Sequence, residues 1–339
     1  MIDQTTKNPL RLPAGIKDFI FDEAKEHRFV ERALIDLLIE NGYGEIITPT
    51  FEHGEIFEIA TKAGMIRNGL DEKVYRFLDR DGNLLALRAD FTAQIARIAA
   101  SRFKGLTKEL KIFYTGKVFR AEPHHEGRSR EKWQVGFEIL NKSSIAADAE
   151  AVIHILEALD KFKLKNVRVA IGHIGYFHGL IKESGLAGDK MKALKYLVER
   201  KDSAGIERFL DETAIDDEVK NVLLALPDLH GDITVLQKAK ACAGHEKSMQ
   251  ALLKLDKLWD EISGHPLSKN VFFDLSEVEG MGYYTGIMIK AFTEGVGSEV
   301  GSGGRYDQLT AVFGAEMPAI GFSFDVDLVG KAIKIQKEK

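Results

Sequence analysis

The sequence predicts an α+β protein, a largely antiparallel sheet with helices packed on it, interrupted by an α-helical unit. Two observations carry this. Hairpin signals dominate the strand-like segments on both sides of the chain's middle. Between about residues 174 and 264, helix follows helix, punctuated by Gly, Pro and Asp. The expected organisation is a core in two parts, residues 1–173 and 265–339, with a helical insertion domain at 174–264.

The elements follow in order. Residues 21–42 have helical periodicity, with Phe29, Leu34, Leu37 and Leu38 on one side and Gly42 as a stop. The stretch YGEIITPTFE runs into Pro49, which suits an edge strand or a strand end. KVYRFLDRDGNLLALRAD reads as a hairpin turning at Asp81-Gly82, and residues 92–103 as a helix. LKIFYTGKVFRAE and EKWQVGFEILN form a second strand pair joined by the polar loop PHHEGRSR. A helix at about 148–162 and the strand NVRVAIG complete the first part. Helices in DKMKALKYLVER, SAGIERFLDE, DDEVKNVLLAL, DITVLQKAKA and KSMQALLKLDKLWDEI make up the insertion. Strands resume at NVFFDLSEV and GIMIKAF, with a last strand-to-helix passage near MPAIGFSFDVDLVGKAI.

Bulk composition narrows the function. The 339 residues carry a formal net charge of −5, against the basic excess expected of a dedicated nucleic-acid binder. With one cysteine, Cys242, neither an internal disulfide nor a thiolate zinc cluster is expected. The N-terminus lacks a signal-peptide pattern, and no apolar run approaches membrane-spanning length. The expectation is a cytoplasmic protein with no membrane partner.

Three stretches carry candidate chemistry. In VEGMGYYTG, residues 278–286, Tyr283 and Tyr284 are framed by three glycines, and the only charge is Glu279. Glycine lets a backbone come close and tyrosine offers a flat face with a hydroxyl, which suits a ligand, but a phosphate would call for a cation. In WQVGFEI, strand alternation sends Trp133, Val135, Phe137 and Ile139 to the core, and Gln134, Gly136 and Glu138 to the opposite face. That row makes a floor for a small ligand, with Gly136 leaving room, or else a solvated sheet face. Arg120, Arg128 and Arg130 offer planar forks for carboxylate or phosphate, or are scattered charge on a hairpin. Asp90 and Thr92, just before a helix, either cap it or receive an ammonium group. His124 and His125 are adjacent in a loop without further ligands at usable spacing, so no metal site is expected. His173 and His178 are expected to be structural. GVGSEVGSGGRYD matches neither phosphate-binding fingerprint, and its glycines are expected to let the backbone turn beneath a neighbouring site.

These pieces, in this order, resemble the catalytic core of class II aminoacyl-tRNA synthetases, specifically histidyl-tRNA synthetase, over most of residues 10–330. YGEIITPTFE resembles the dimer-forming first class motif, VFRAE…GRSREKWQVGFEI the second, and MPAIGFSFDVDLVG stands in the place of the third. EGMGYYTG and GSGGRYD resemble two histidine-specific signatures. The resemblance implies a class II synthetase-like sheet and a histidine site. In it Asp90, Thr92 and Gln134 would hold the ammonium group, Glu138 and Tyr284, beside Tyr283, would read the imidazole, and Arg120 would meet the carboxylate.

The departures from the synthetase pattern fall on catalytic positions. Where the synthetase has two arginines that serve adenylation, this chain has Glu279 and Leu328. Losing one such donor lowers rate by roughly 10² to 10³. There is also no room before residue 339 for an anticodon-binding domain, so tRNA is not an expected partner. LRADFTAQIARIA is more similar to a second family, the regulatory subunits of ATP phosphoribosyltransferase. That resemblance implies a subunit with no catalytic residues and no cofactor. It would self-associate as a dimer and join a short catalytic subunit, typically in a hetero-octamer. It would activate that subunit and transmit feedback by L-histidine in the first step of histidine biosynthesis. The competing expectations are an amino-acid-activating ligase with a rearranged site and a free-standing histidine sensor.

Overall fold

A computed structural model describes residues 11–62, 73–122, 129–279 and 284–338. Helix α1 (Phe21–Glu40) leads into strand β1 (Gly44–Glu45). Strand β2 (Phe51–His53), helix α2 (Gly54–Lys62), the hairpin β3 (Arg76–Leu78) and β4 (Leu84–Leu87), and helix α3 (Thr92–Arg102) follow. The long pair β5 (Leu110–Phe119) and β6 (Glu131–Leu140) precedes helix α4 (Ile145–Lys161) and strand β7 (Arg168–His173). Six helices come next: α5 (Ile174–Ser184), α6 (Gly188–Glu199), α7 (Ser203–Asp211), α8 (Asp217–Ala225) and, after the short strand β8 (His230–Gly231), α9 (Thr234–Cys242) and α10 (Glu246–Ile262). The chain closes with β9 (Val271–Asp274), β10 (Ile287–Phe292), β11 (Gly301–Arg305), α11 (Leu309–Val312), β12 (Ala319–Asp325) and α12 (Val326–Lys337).

Nine strands form the main sheet in the order β1–β5–β6–β12–β11–β10–β7–β9–β8. Its pairings are antiparallel except β1 with β5 and β7 with β9. The antiparallel character expected from the hairpins is therefore present, and the segment ending at Pro49 does supply an edge strand. The parallel β7–β9 pair needs a long crossover, and the helical run α5–α10 is that crossover. A separate three-stranded sheet, β2–β4–β3, rests on its own small core of Ile56, Phe57, Val74, Ala86, Ala89 and Ala93. The β3–β4 hairpin turns at Asp81-Gly82, with the Asp79 carboxylate accepting the backbone N–H groups of Asp81 and Asn83.

The main core runs without a break from α1 through the sheet into the helical run. Leu34, Leu37 and Leu38 join it as expected, but Phe29 does not: it is 57% exposed and meets only the edge of Phe162. The stripe that faces the sheet is His27, Val30, Glu31, Leu34, Leu37 and Leu38, and Phe29 lies about 100° away from Val30 around the helix. Helix α4 begins at Ile145, earlier than expected, because the Ser144 hydroxyl caps it by accepting the N–H of Ala147. The glycine-rich GSGGR is a strand in mid-sheet, not a turn; small residues let it lie thin between β10 and β12.

Candidate functional site

Six of the expected residues, Asp90, Thr92, Arg120, Gln134, Glu138 and Tyr284, line one cavity above the centre of the sheet. They come from the β4–α3 turn, the end of β5, strand β6 and the approach to β10. Tyr283, Arg128, His124 and His125 fall outside the described residues. Arg130 does not reach the cavity; its guanidinium donates twice to the carbonyl of Glu122 and so ties the two limbs of the β5–β6 connection.

The floor follows from strand alternation. Val135, Phe137 and Ile139 are fully buried in the core, and Gln134 and Glu138 face the cavity. Trp133 is only partly buried, its indole N–H donating to Glu31 and Thr115. Gly136 does leave room, but for protein: a Cβ there would run into the ring of Tyr114. That ring is stacked on Phe91 at 4.2 Å, and Arg88 covers the other side of Phe91 at 4.3 Å. The stack aims the Tyr114 hydroxyl at Glu138, to which it donates over 3.3 Å.

Glu138 is the centre of the site. Tyr306 donates to its other oxygen over 2.5 Å, and Gly321 on β12 presses so close that any Cβ would overlap the carboxylate. Burial pushes Glu138 up to about 8, against the pull of the Tyr306 and Tyr114 hydroxyls and with help from the Asp90 charge. Tyr306 is a residue that motif reading left unassigned, although GGRYD contains it. It is held by its two neighbours. Arg305 donates to Asp148, to the Lys142 carbonyl and to Asp307, and Asp307 accepts the Ala319 N–H. Tyr114, Phe91, Ser302 and Ser323 also line the cavity and were not expected.

At the mouth, the N-cap of α3 is Phe91 and not Asp90 or Thr92; Asp90, one residue before it, accepts the Ala93 N–H over a long 3.4 Å and lines the cavity. Arg120 lies one residue past β5 and is oriented by its Nε–H donating to the Ala89 carbonyl. Thr285 anchors the chain beside Tyr284: its N–H donates to the Arg305 carbonyl over 2.7 Å, and its hydroxyl accepts from the Asp307 N–H over 2.9 Å.

Glu279 is not part of this lining. With Glu277 it grips Lys290, at 2.6 and 2.8 Å, in a cleft that also includes Ser276, Glu199 and Lys201. Leu328 sits in the first turn of α12, where the Asp325 carboxylate accepts its N–H, and its side chain packs on the core. His173 is structural, as expected. Its Nδ1 accepts the Gly175 N–H at the start of α5, and burial pushes it down to about 3. Among the described residues no cluster of three or more His, Cys, Asp or Glu is arranged to hold a metal, and no helix is long and apolar enough to cross a membrane.

Comparison with known proteins places this geometry. The family model for histidyl-tRNA synthetase matches residues 15–329. An ATP phosphoribosyltransferase regulatory subunit from Moorella thermoacetica is 34% identical over 319 residues, covering 94% of this chain and 81% of that one. Another from Geobacter metallireducens is 35% identical over 316 residues, covering 93% and 72%. A solved ATP phosphoribosyltransferase regulatory subunit/histidyl-tRNA synthetase from Bacillus halodurans superimposes with a TM-score of 0.89 at 28% identity, covering 97% of this chain and 84% of that one. Histidyl-tRNA synthetase from Nostoc shares the fold, with a TM-score of 0.80 at 21% identity.

Proposed function

Since this chain belongs to the histidyl-tRNA synthetase family, in its branch of ATP phosphoribosyltransferase regulatory subunits, we propose that it regulates without catalysing. It binds a short catalytic subunit, is needed for that subunit's activity, and carries feedback by L-histidine. The observation that carries this reading is the cavity: six side chains suited to an amino acid with an imidazole converge on it. Gln134, Asp90 and Thr92 suit the ammonium group, Arg120 the carboxylate, and Glu138 with Tyr284 the ring; Tyr283 extends the same assignment. Absence of adenylation is supported by Glu279, whose charge is engaged by Lys290, and by Leu328, which offers no cation. Coupling between an effector on one chain and catalysis on another is reciprocal, so the catalytic subunit would in turn alter histidine affinity.

Assembly is part of the proposal. The three-stranded sheet leaves Phe51, Phe77, Leu78 and Leu84 exposed, apolar surface of the kind that self-association covers. A dimer joined to catalytic subunits in a hetero-octamer, working in the cytoplasm without tRNA or a membrane, is the arrangement we favour. The test is the rate of phosphoribosyl-ATP formation by the catalytic subunit, with and without this protein, across a histidine titration. Activation that histidine then suppresses is the expected result. An unchanged rate with no complex formed would sink the proposal.

A further inference from the structure

Glu138 is 1% exposed and, among the described residues, receives no ion pair. Its two oxygens accept phenol hydroxyls, Tyr306 on one and Tyr114 on the other. The other titratable or charged groups around it are Asp90 from the β4–α3 turn, Arg120 past β5, and Tyr284 before β10. Asp90 opposes a second negative charge, and Arg120 is oriented by its bond to the Ala89 carbonyl. Strand β12 brings the backbone of Gly321, an uncharged neighbour, against the carboxylate. Neutral phenols stabilise an anion less than a cation does, so burial dominates and the acid form persists through neutrality. Because both phenols donate to the carboxyl, the proton it keeps is available to an acceptor entering the cavity.

We propose that Glu138 meets its ligand as an un-ionised carboxyl and that the two hold one proton between them, which selects a ring nitrogen able to accept that proton. The identity of the ring as imidazole rests on the function proposed above. The proton passes between a carboxyl oxygen and the ring nitrogen, and near neutrality none is exchanged with water. The linkage is then fixed in sign. Affinity is level from the ordinary imidazole range up to about pH 8. Above that the free carboxyl has lost its proton, one must be taken up on binding, and affinity falls about tenfold per pH unit.

The experiment has two readouts on the full chain. The first is the carboxyl 13C titration of Glu138 in unliganded protein, assigned by its loss in Glu138→Gln and by its displacement in Tyr306→Phe. A midpoint near pH 8 is expected, and one between 4 and 5 overturns the proposal. The second is calorimetry with L-histidine at pH 9 in buffers of different ionisation heat. The wild type is expected to take up about one proton more per ligand than Glu138→Gln. Equal uptake overturns the shared proton. A midpoint near 8 with no histidine binding at any pH would instead overturn the histidine reading and leave the un-ionised carboxyl standing.

Discussion

Two regions of this molecule gather acid groups and answer their charge in opposite ways. In the cleft beside β10, Lys290 supplies a cation to Glu277 and Glu279. At the sheet floor, Glu138 accepts from two hydroxyls, and burial pushes it up to about 8. The cleft is also raised at Glu277 by burial, but there the Lys290 charge and hydrogen bond work against the shift. An ion pair is satisfied as it stands, and a ligand gains little by entering it. A carboxyl held by neutral donors keeps unused capacity, and a ligand that completes it gains. On the function proposed above, the difference separates a fastening from a receptor, although both are built from the same residue type.

This contrast can be broken by substitution. The largest effect is expected of Glu138→Ala, which removes the ring partner. Histidine affinity should fall about a hundredfold by calorimetry, and inhibition unchanged by this variant would move the effector site elsewhere. Next, Lys290→Met strands two carboxylates. It should lower stability by about 2 kcal/mol in urea unfolding, with discount for their partial exposure, and leave histidine affinity unchanged. A loss of affinity equal to that of Glu138→Ala would erase the distinction between the regions. Tyr306→Phe deletes one hydroxyl, and about a tenfold loss of affinity is expected. A last effect, on a different scale, is on stability against pH. Because Glu138 is raised in the folded state, its contribution is full below the ordinary carboxylate range and is lost as pH rises towards about 8. Glu138→Gln should therefore melt higher than wild type at pH 8, by about 7 °C, and the advantage should vanish near pH 4.5. An advantage independent of pH would contradict the raised acid.

Much of this was legible in the sequence, because the relevant signals have short range. Period-two alternation in WQVGFEI put Gln134 and Glu138 on one face, and Asp81-Gly82 marked its hairpin. What escaped depends on neighbours distant in the chain. Gly136 makes room for Tyr114, a residue of the adjacent strand, and only the β5–β6 register shows it. Tyr306 was hidden because Gly321 lies between it and Glu138 in the sheet order, on a strand whose pairing no local pattern predicts. The resemblance set Glu279 in the place of a synthetase arginine, and no local pattern showed that Lys290, eleven residues on, engages it in the cleft beside β10.

The parallel pairing of β7 with β9 has a consequence for how the chain reaches this state. Val169 meets Val271, about a hundred positions further on, and closing a flexible loop of that length opposes folding by about 4 kcal/mol. Helices α5–α10 lie inside the loop, and α5 packs on α10 across it, which brings the loop's two ends together. That contact carries most of the closure cost itself, since the cost grows only with the logarithm of loop length, and the pairing of β7 with β9 then adds little more. The helical run is then a clamp for the sheet: the contacts that close it also keep β9 beside β7, and with them the neighbouring β10, β11 and the Tyr306 that reaches Glu138.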